Sequence, residues 1–218
     1  SYACDPSKVR TSCIRARKQP VFMSEEGNRM KYKVYGKILD SDVSFWQLVE
    51  EGGEAPTDFF LRMQALPERV KEHIAANKGP SGRGEDFYWF NTPGGYFAIL
   101  GGKEIVTEET EPERLEKMKT YLLGYGLAML FYENDEMAVH CSAVAKGENC
   151  LLLSGYSGAG KSTLAGRFLE RNWKLMADDV AVISRRGEEL VTEPAFPVRK
   201  LCRDAAMRAG QDLDQLIY

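Results

Sequence analysis

The feature that most constrains this chain is a glycine-rich octet at residues 155–162, which reads Gly-Tyr-Ser-Gly-Ala-Gly-Lys-Ser. The octet matches the phosphate-binding pattern G-x-x-x-x-G-K-[ST]. An apolar run precedes it at residues 150–153, and a helix-forming stretch follows it at residues 163–170. This order predicts a strand, a tight loop and a helix, an arrangement in which loop N–H groups and the helix N-terminus can face an anion.

The octet also assigns chemistry to individual side chains. Lys161 is expected to reach the β- and γ-phosphates, and the Ser162 hydroxyl is expected to ligate magnesium. The octet therefore predicts that the chain binds a nucleotide together with Mg²⁺, and ATP is the nucleotide of our leading hypothesis. The residues predicted to contact the nucleotide are Gly155, Ser157, Gly158, Ala159, Gly160, Lys161, Ser162 and Thr163.

A second, acidic motif follows the loop helix. Residues 174–183 predict a short strand that ends in the adjacent carboxylates Asp178 and Asp179, 17 and 18 positions after Lys161. A helix of about ten residues and a tight return would place this strand beside the loop. Neighbouring side chains of a strand face opposite ways, so we expect the chain to turn there and bring both carboxylates to the site. The alternative is a solvated turn after the strand.

The two aspartates suit a division of roles. One would hold the metal, and the other would accept the proton of an attacking hydroxyl. We predict Ser162 and Asp179 as the metal ligands, although the sequence leaves the opposite assignment of the two aspartates open. The short spacing between Lys161 and the aspartate pair argues against transport-type ATPases, whose acidic strand lies further downstream. The sequence lacks the Asn-Lys-x-Asp motif that recognises guanine, which argues against small GTPases.

Composition excludes several other classes of protein. A formal net charge of −3 provides no overall field that favours nucleic acid or an anionic membrane. The longest apolar stretch, residues 121–131, is too short to cross a bilayer, and nothing resembles a signal peptide. Five cysteines without a C-x-x-C pair indicate a reducing, cytoplasmic compartment.

Hydrophobic periodicity predicts the elements before the octet. Residues 31–38 alternate as a half-buried strand, and residues 59–77 are helical in character. Pro67 is expected to start a second helical segment with Val70, Ile74 and Ala75 on one face. Residues 78–84 read as a loop.

The remaining predictions cover the middle of the chain. Three strands at residues 86–90, 96–100 and 103–107 form an antiparallel meander, and residues 113–131 form one long, mostly buried helix. Residues 138–145 and 150–154 form a hairpin that leads into the octet.

These elements predict a mixed α/β protein: a nucleotide-binding core preceded by a small antiparallel β plus helix region. We expect a polar segment at residues 1–30, the β-meander and helix region at 31–131, and a kinase-like module at 136–218 that continues beyond Tyr218. The early basic residues are either a solvated arm or a docking patch for an acidic partner; they are Lys8, Arg10, Arg15, Arg17 and Lys18.

The hairpin, the octet and the aspartate pair together resemble the HPr kinase/phosphorylase family and, more distantly, phosphoenolpyruvate carboxykinase. The supporting segments are residues 140–144, 153–162 and 175–179. The resemblance implies a P-loop core of that type, ATP and Mg²⁺ as cofactors, and a histidine near the phosphates, which corresponds to His140. Without the resemblance, His140 could equally be a structural histidine in a strand, with its ring nitrogens hydrogen-bonded.

Two positions depart from the family pattern. Thr163 stands where HPr kinases usually carry Glu, and residues 193–200 replace the downstream Glu-x-Arg-Gly-x-Gly signature. By position, Glu193 is a candidate substrate or metal contact. Arg199 could stabilise the transferring phosphoryl group, or it could be surface charge at a helix start.

The sequence therefore favours an ATP- and magnesium-dependent kinase that phosphorylates a hydroxyl, on a serine of a small protein or peptide or on a small metabolite. The predicted catalytic residues are Lys161, Asp178, Asp179 and His140. The alternatives are an ATP-binding sensor without phosphoryl transfer and a carboxykinase-like small-molecule phosphotransferase. We expect no nucleic-acid or membrane partner, and a homo-oligomer remains open. The N-terminal meander would recognise the substrate or mediate assembly.

Overall fold

The computed structural model describes residues 29–156 and 158–196. The predictions for Ser157, Arg199 and the N-terminal basic residues lie outside these ranges. The chain forms a mixed α/β fold, as predicted. Within these ranges, the first part of the chain has eight strands and three α-helices: β1 Met30–Val34, β2 Lys37–Ser41, β3 Val49–Glu50, β4 Phe59–Met63, α1 Glu68–Ala76, β5 Ser81–Arg83, β6 Phe87–Thr92, β7 Gly95–Leu100, β8 Glu104–Thr107, α2 Pro112–Tyr121 and α3 Leu127–Tyr132.

A shorter second part follows, and it carries the glycine-rich octet. Its elements are β9 Met137–Lys146, β10 Asn149–Ser154, α4 Lys161–Leu169, β11 Lys174–Arg186 and β12 Glu189–Thr192. Within the described ranges, the strands form an eight-stranded sheet in the order β3-β1-β2-β4-β8-β7-β6-β5 and a four-stranded sheet in the order β10-β9-β11-β12. No helix in the described part of the chain has the length and apolar character needed to cross a membrane.

The predicted meander is confirmed. Strands β6, β7 and β8 pair antiparallel in sequence order. The hairpin of β9 and β10 is confirmed as well, with Asn149 opposite Lys146 at its turn. Both units are local, so turn residues and alternation suffice to specify them.

The prediction of a single strand at residues 31–38 is wrong, because the chain reverses at Tyr35 and Gly36. These residues have φ angles of 50° and 74°. Two successive positive φ angles fit the tight turn of a β-hairpin. The apolar alternation continues through the turn, which is why the sequence reads as one strand.

The prediction of a helix over residues 59–77 is wrong in its first half. Strand β4 occupies that half, between β2 and β8, and is parallel to both. Pairing with two distant strands outweighs the weak helical preference of the segment. The second half is helical as predicted, with Val70 buried and Ile74 half-buried, whereas Ala75 is exposed. The predicted loop at residues 78–84 contains the short edge strand β5.

The long helix predicted over residues 113–131 forms, but with a π-helical turn at Leu122–Gly126 between α2 and α3. The turn contains Gly124 and Gly126, and one extra residue in a turn displaces the side chains that follow it. Tyr125 is 59% exposed, although the helical pattern predicts that it is buried.

One hydrophobic core joins the two sheets. Buried residues of the first sheet and of α3 pack in the same cluster as Cys141, Ala143, Ala177 and Ala181 of the second sheet. Phe131 at the end of α3 is fully buried between them. The second sheet is thereby held against the first, on the side of strands β9 and β11.

The turn between β6 and β7 provides a stability prediction. A Cβ on Gly94 would lie 2.4 Å from the Arg114 carbonyl oxygen and 2.6 Å from the Met118 Cβ, both on α2. We expect Gly94→Ala to destabilise the protein by about 1–3 kcal/mol, because either helix α2 or the turn between β6 and β7 must move to make room for the new methyl group. Thermal unfolding should show a Tm lower by about 2–10 °C.

Gly124→Ala is the matched control, because a Cβ on Gly124 meets nothing within 4 Å. This variant should be as stable as the parent protein or more stable by up to about 1 kcal/mol, because alanine has a higher helix propensity than glycine. Equal melting temperatures for the two variants would show that the helix does not approach the turn as closely as described.

Candidate functional site

The glycine-rich turn joins β10 to α4. Gly160 precedes the helix in the left-handed region, with φ 87°, where a side chain would be strained. Within the described ranges no side chain caps α4, so its first N–H groups face the turn. Gly155, Tyr156, Gly158 and Ala159 are all exposed, so an anion can approach from solvent.

Lys161 is the first residue of α4, and its side chain folds back over this turn. The Nζ donates to the carbonyl oxygens of Gly155 at 2.9 Å and Tyr156 at 3.2 Å. The ammonium group therefore lies at the mouth of the turn and outside the hydrophobic core. Its three protons can be shared between carbonyl oxygens and an incoming anion.

Asp178 lies directly behind the turn and accepts two hydroxyl hydrogen bonds on one oxygen. Ser162 Oγ on α4 donates to Asp178 Oδ1 at 2.9 Å, and Ser142 Oγ on β9 donates to the same atom at 2.5 Å. Asp178 is only 6% exposed. The structure thus brings the predicted residues Ser162 and Asp178 together, although they lie on different elements.

The expectation that the acidic strand ends at the aspartates is wrong. Strand β11 continues to Arg186, with both aspartates in its interior. It also does not pair with the strand that enters the turn, because β9 lies between β10 and β11. Asp178 still reaches Ser162, since α4 packs across the strands of this sheet.

A backbone distortion explains how two neighbouring aspartates reach one face of a continuous strand. Asp179 lies opposite the buried Cys141 in the β11–β9 register, so a regular strand would direct its side chain into the core. Instead Asp179 has φ 140°, and its Oδ1 lies 3.4 Å from His140 Nδ1. His140 and Ser142, two positions apart on β9, share one face, so both carboxylates meet side chains of that face.

Ser142 is a site residue that sequence reasoning did not assign. Its position two residues after His140 was the available signal, because alternate residues of a strand share a face. The intervening Cys141 faces the core. Burial raises the pKa of its thiol to about 11, so it remains neutral near pH 7 and acts as a small packing group.

The other predicted residues lie further from this cluster. Thr163 is exposed on the first turn of α4. Glu193 accepts an ion-pair contact from Arg186 Nη2 at 2.8 Å and packs against Gly36, where a Cβ would come within 3.0 Å of its Cγ. Its observed contacts are therefore with the first sheet and with β11.

The oxygen atoms at the candidate site are of the kind that can ligate a magnesium ion. Over the described ranges no group of three or more His, Cys, Asp or Glu side chains forms a metal cluster. A magnesium ion bound with phosphates needs only one or two protein oxygens and keeps the rest of its shell from phosphate and water. Ser162 Oγ and Asp178 Oδ1 are two such oxygens, 2.9 Å apart.

These features define a mixed α/β protein with an exposed glycine turn, a lysine over it and a serine–aspartate pair behind it. HPr kinase/phosphorylase of Chlorobium limicola is 54% identical to the chain over 41 residues, which are 19% of this chain and 12% of that protein. HPr kinase/phosphorylase of Pelodictyon phaeoclathratiforme gives the same identity over the same shares of each chain.

The chain therefore matches these curated relatives over about an eighth of their length. No protein-family model matches the chain. No solved structure matches it either. The short similarity agrees with the family resemblance seen in the motifs.

Proposed function

We propose that this protein is an ATP- and magnesium-dependent kinase of the HPr-kinase-like type, which transfers the γ-phosphoryl group to a hydroxyl. One observation carries the proposal: Ser162 Oγ lies 2.9 Å from Asp178 Oδ1, immediately behind an uncapped helix start and a glycine turn. Helix N-termini and glycine turns bind phosphate, and an oxygen pair at that place binds the accompanying cation.

Magnesium, when bound, supplies charge neutralisation on the phosphates. Ser162 and Asp178 would hold it, because their oxygens already lie together. This assignment differs from the expectation that Asp179 is the metal ligand, since the contact to Ser162 is made by Asp178. Lys161 and the N–H groups of the turn would bind the β- and γ-phosphates.

Asp179 then takes the role of general base. The acceptor hydroxyl oxygen attacks the γ-phosphorus, the bond from that phosphorus to the bridging oxygen breaks, and ADP leaves with the electron pair. The proton of the hydroxyl passes to the Asp179 carboxylate. His140, 3.4 Å away, orients that carboxylate and keeps it at the exposed face.

The acceptor in this proposal is a serine of a small protein or peptide, or a small hydroxylated metabolite, and the first sheet contributes its recognition or assembly surface. Arg199 is retained as a cation for the transferring group, whereas the Arg186 contact of Glu193 favours a packing role for Glu193. The free thiols of Cys141 and Cys150 are compatible with action in the reducing cytoplasm.

Incubation with γ-labelled ATP and candidate hydroxyl acceptors tests the proposal. We expect label to reach an acceptor only in the presence of Mg²⁺, with a chelated sample as the control. Binding of Mg·ATP without any transfer, to acceptors or to water, would instead identify an ATP-binding sensor. Absence of Mg·ATP binding would contradict both functions.

A further inference from the structure

We infer that Tyr35, on the first sheet, is a positioning residue for the Asp179 carboxylate; the inference rests on the proposed function. Tyr35 lies at the turn between β1 and β2 and is 4% exposed. Its hydroxyl donates to the Val180 carbonyl oxygen at 2.9 Å. Val180 directly follows Asp179, so a side chain of one sheet contacts the backbone beside the proposed base in the other.

The turn that carries Tyr35 is itself attached to β11 by a second route. The Tyr35 N–H donates to the Pro194 carbonyl oxygen at 3.0 Å, and the Ala195 N–H donates to the Met176 carbonyl oxygen at 2.8 Å. Met176 and Val180 flank the aspartate pair. Strand β12 pairs with β11 only from Ile183 to Arg186, so these contacts hold a part of β11 that β12 does not reach.

The ring of Tyr35 has little freedom to move. It packs edge-on against Phe131 with centroids 5.2 Å apart, and Phe131 packs edge-on against Phe59 at 5.3 Å. Burial, followed by the nearby Asp179 carboxylate, raises the pKa of the Tyr35 phenol above its ordinary value. The phenol therefore keeps its proton and remains a donor to Val180.

Asp179 needs such support because of its backbone. A residue other than glycine at φ 140° is strained, and it persists only where the surrounding structure fixes it. Pairing with β9 fixes one edge of β11, and the Tyr35 hydroxyl fixes the Val180 carbonyl group, one residue after Asp179. Without the hydroxyl, we expect the aspartate to sample regular strand geometry, in which its carboxylate leaves His140.

Tyr35→Phe removes this hydroxyl alone, and Tyr32→Phe is the matched control. Tyr32 is a buried tyrosine on the same hairpin, 1% exposed. Its hydroxyl accepts from the Phe45 N–H at 2.9 Å and contacts Met30 Sδ, both within the first part of the chain. A general loss of stability should therefore affect both variants, whereas loss of positioning should affect only Tyr35→Phe.

Three readouts are measured on the whole chain: release of labelled phosphate from γ-labelled Mg·ATP, the Kd for Mg·ATP, and hydrogen exchange of the β11 amides. We expect Tyr35→Phe to lower turnover about 10- to 100-fold with an unchanged Kd, and to accelerate exchange around Asp179. Tyr32→Phe should change none of the three. Added to Asp179→Asn, Tyr35→Phe should cause no further loss, because both act through one carboxylate.

The outcomes separate the two claims. If the parent protein does not turn over Mg·ATP, whether or not it binds it, the proposed kinase function fails, and hydrogen exchange alone decides whether Tyr35 fixes β11. If the parent is active but Tyr35→Phe matches Tyr32→Phe in turnover and in exchange, the positioning role is overturned while the kinase stands. An additive double variant would also overturn it.

Discussion

Replacement of Lys161 by alanine should abolish phosphoryl transfer and leave the fold intact. The ammonium group lies over an exposed turn, where it contacts only the carbonyl oxygens of Gly155 and Tyr156 among the contacts described for its side chain. Its removal opens no cavity in the core. Loss of one preorganised charge at the transferring group should lower turnover by at least about 10²–10³-fold.

The measurement is transfer of label from γ-labelled ATP, with thermal unfolding followed in parallel. Lys146→Ala is the matched control, since Lys146 is an exposed lysine at the far end of β9. The control should keep full turnover, and both variants should melt near the parent temperature. Retained turnover in Lys161→Ala would contradict the proposed role of the lysine and the nucleotide site proposed around it.

Substitution of the two aspartates by asparagine should produce two different defects. Asp178→Asn removes a charge beside Ser162, so we expect Mg²⁺ affinity to fall by about 10–100-fold or more. Asp179→Asn removes the proton acceptor, so we expect turnover to fall by about 10²–10⁴-fold with Mg²⁺ affinity preserved. Both amides are close in shape to the carboxylates, so the strand should remain intact.

Mg²⁺ titrations of nucleotide binding and single-turnover transfer separate these effects. Asp86→Asn, an exposed aspartate paired with Arg69 in the first part of the chain, should behave as the parent in both assays. If Asp179→Asn were instead the variant that loses Mg²⁺ affinity, the roles given to the two aspartates would be reversed. Two equal, mild defects would contradict any division of roles.

Local patterns were reliable where the fold depends on neighbours in sequence. The meander of β6 to β8 and the hairpin of β9 and β10 were predicted because alternation and glycine turns specify such pairs. Strand β4 was missed because its identity depends on β2 and β8, which pair with it in parallel from distant parts of the chain. The periodicity of a segment does not show which distant strands will pair with it.

In the candidate site too, some features can be predicted from the local sequence and others depend on the tertiary fold. The sequence indicated the glycine turn, Lys161, Ser162 and the aspartate pair, because the motif places these residue types at a set spacing. It could not show that β9 separates β10 from β11, or that Ser142 donates to Asp178. Those contacts follow from strand order, which chain spacing does not specify.

By itself, then, the sequence determined which residues have phosphate-binding and acid–base chemistry and which short units form around them. Only the tertiary structure decided that Asp178 adjoins Ser162, that Asp179 turns out of a regular strand towards His140, and that Tyr35 reaches the backbone beside it. The physical reason is that a strained backbone is kept in place by contacts from distant segments, and those contacts exist only once both sheets have packed together.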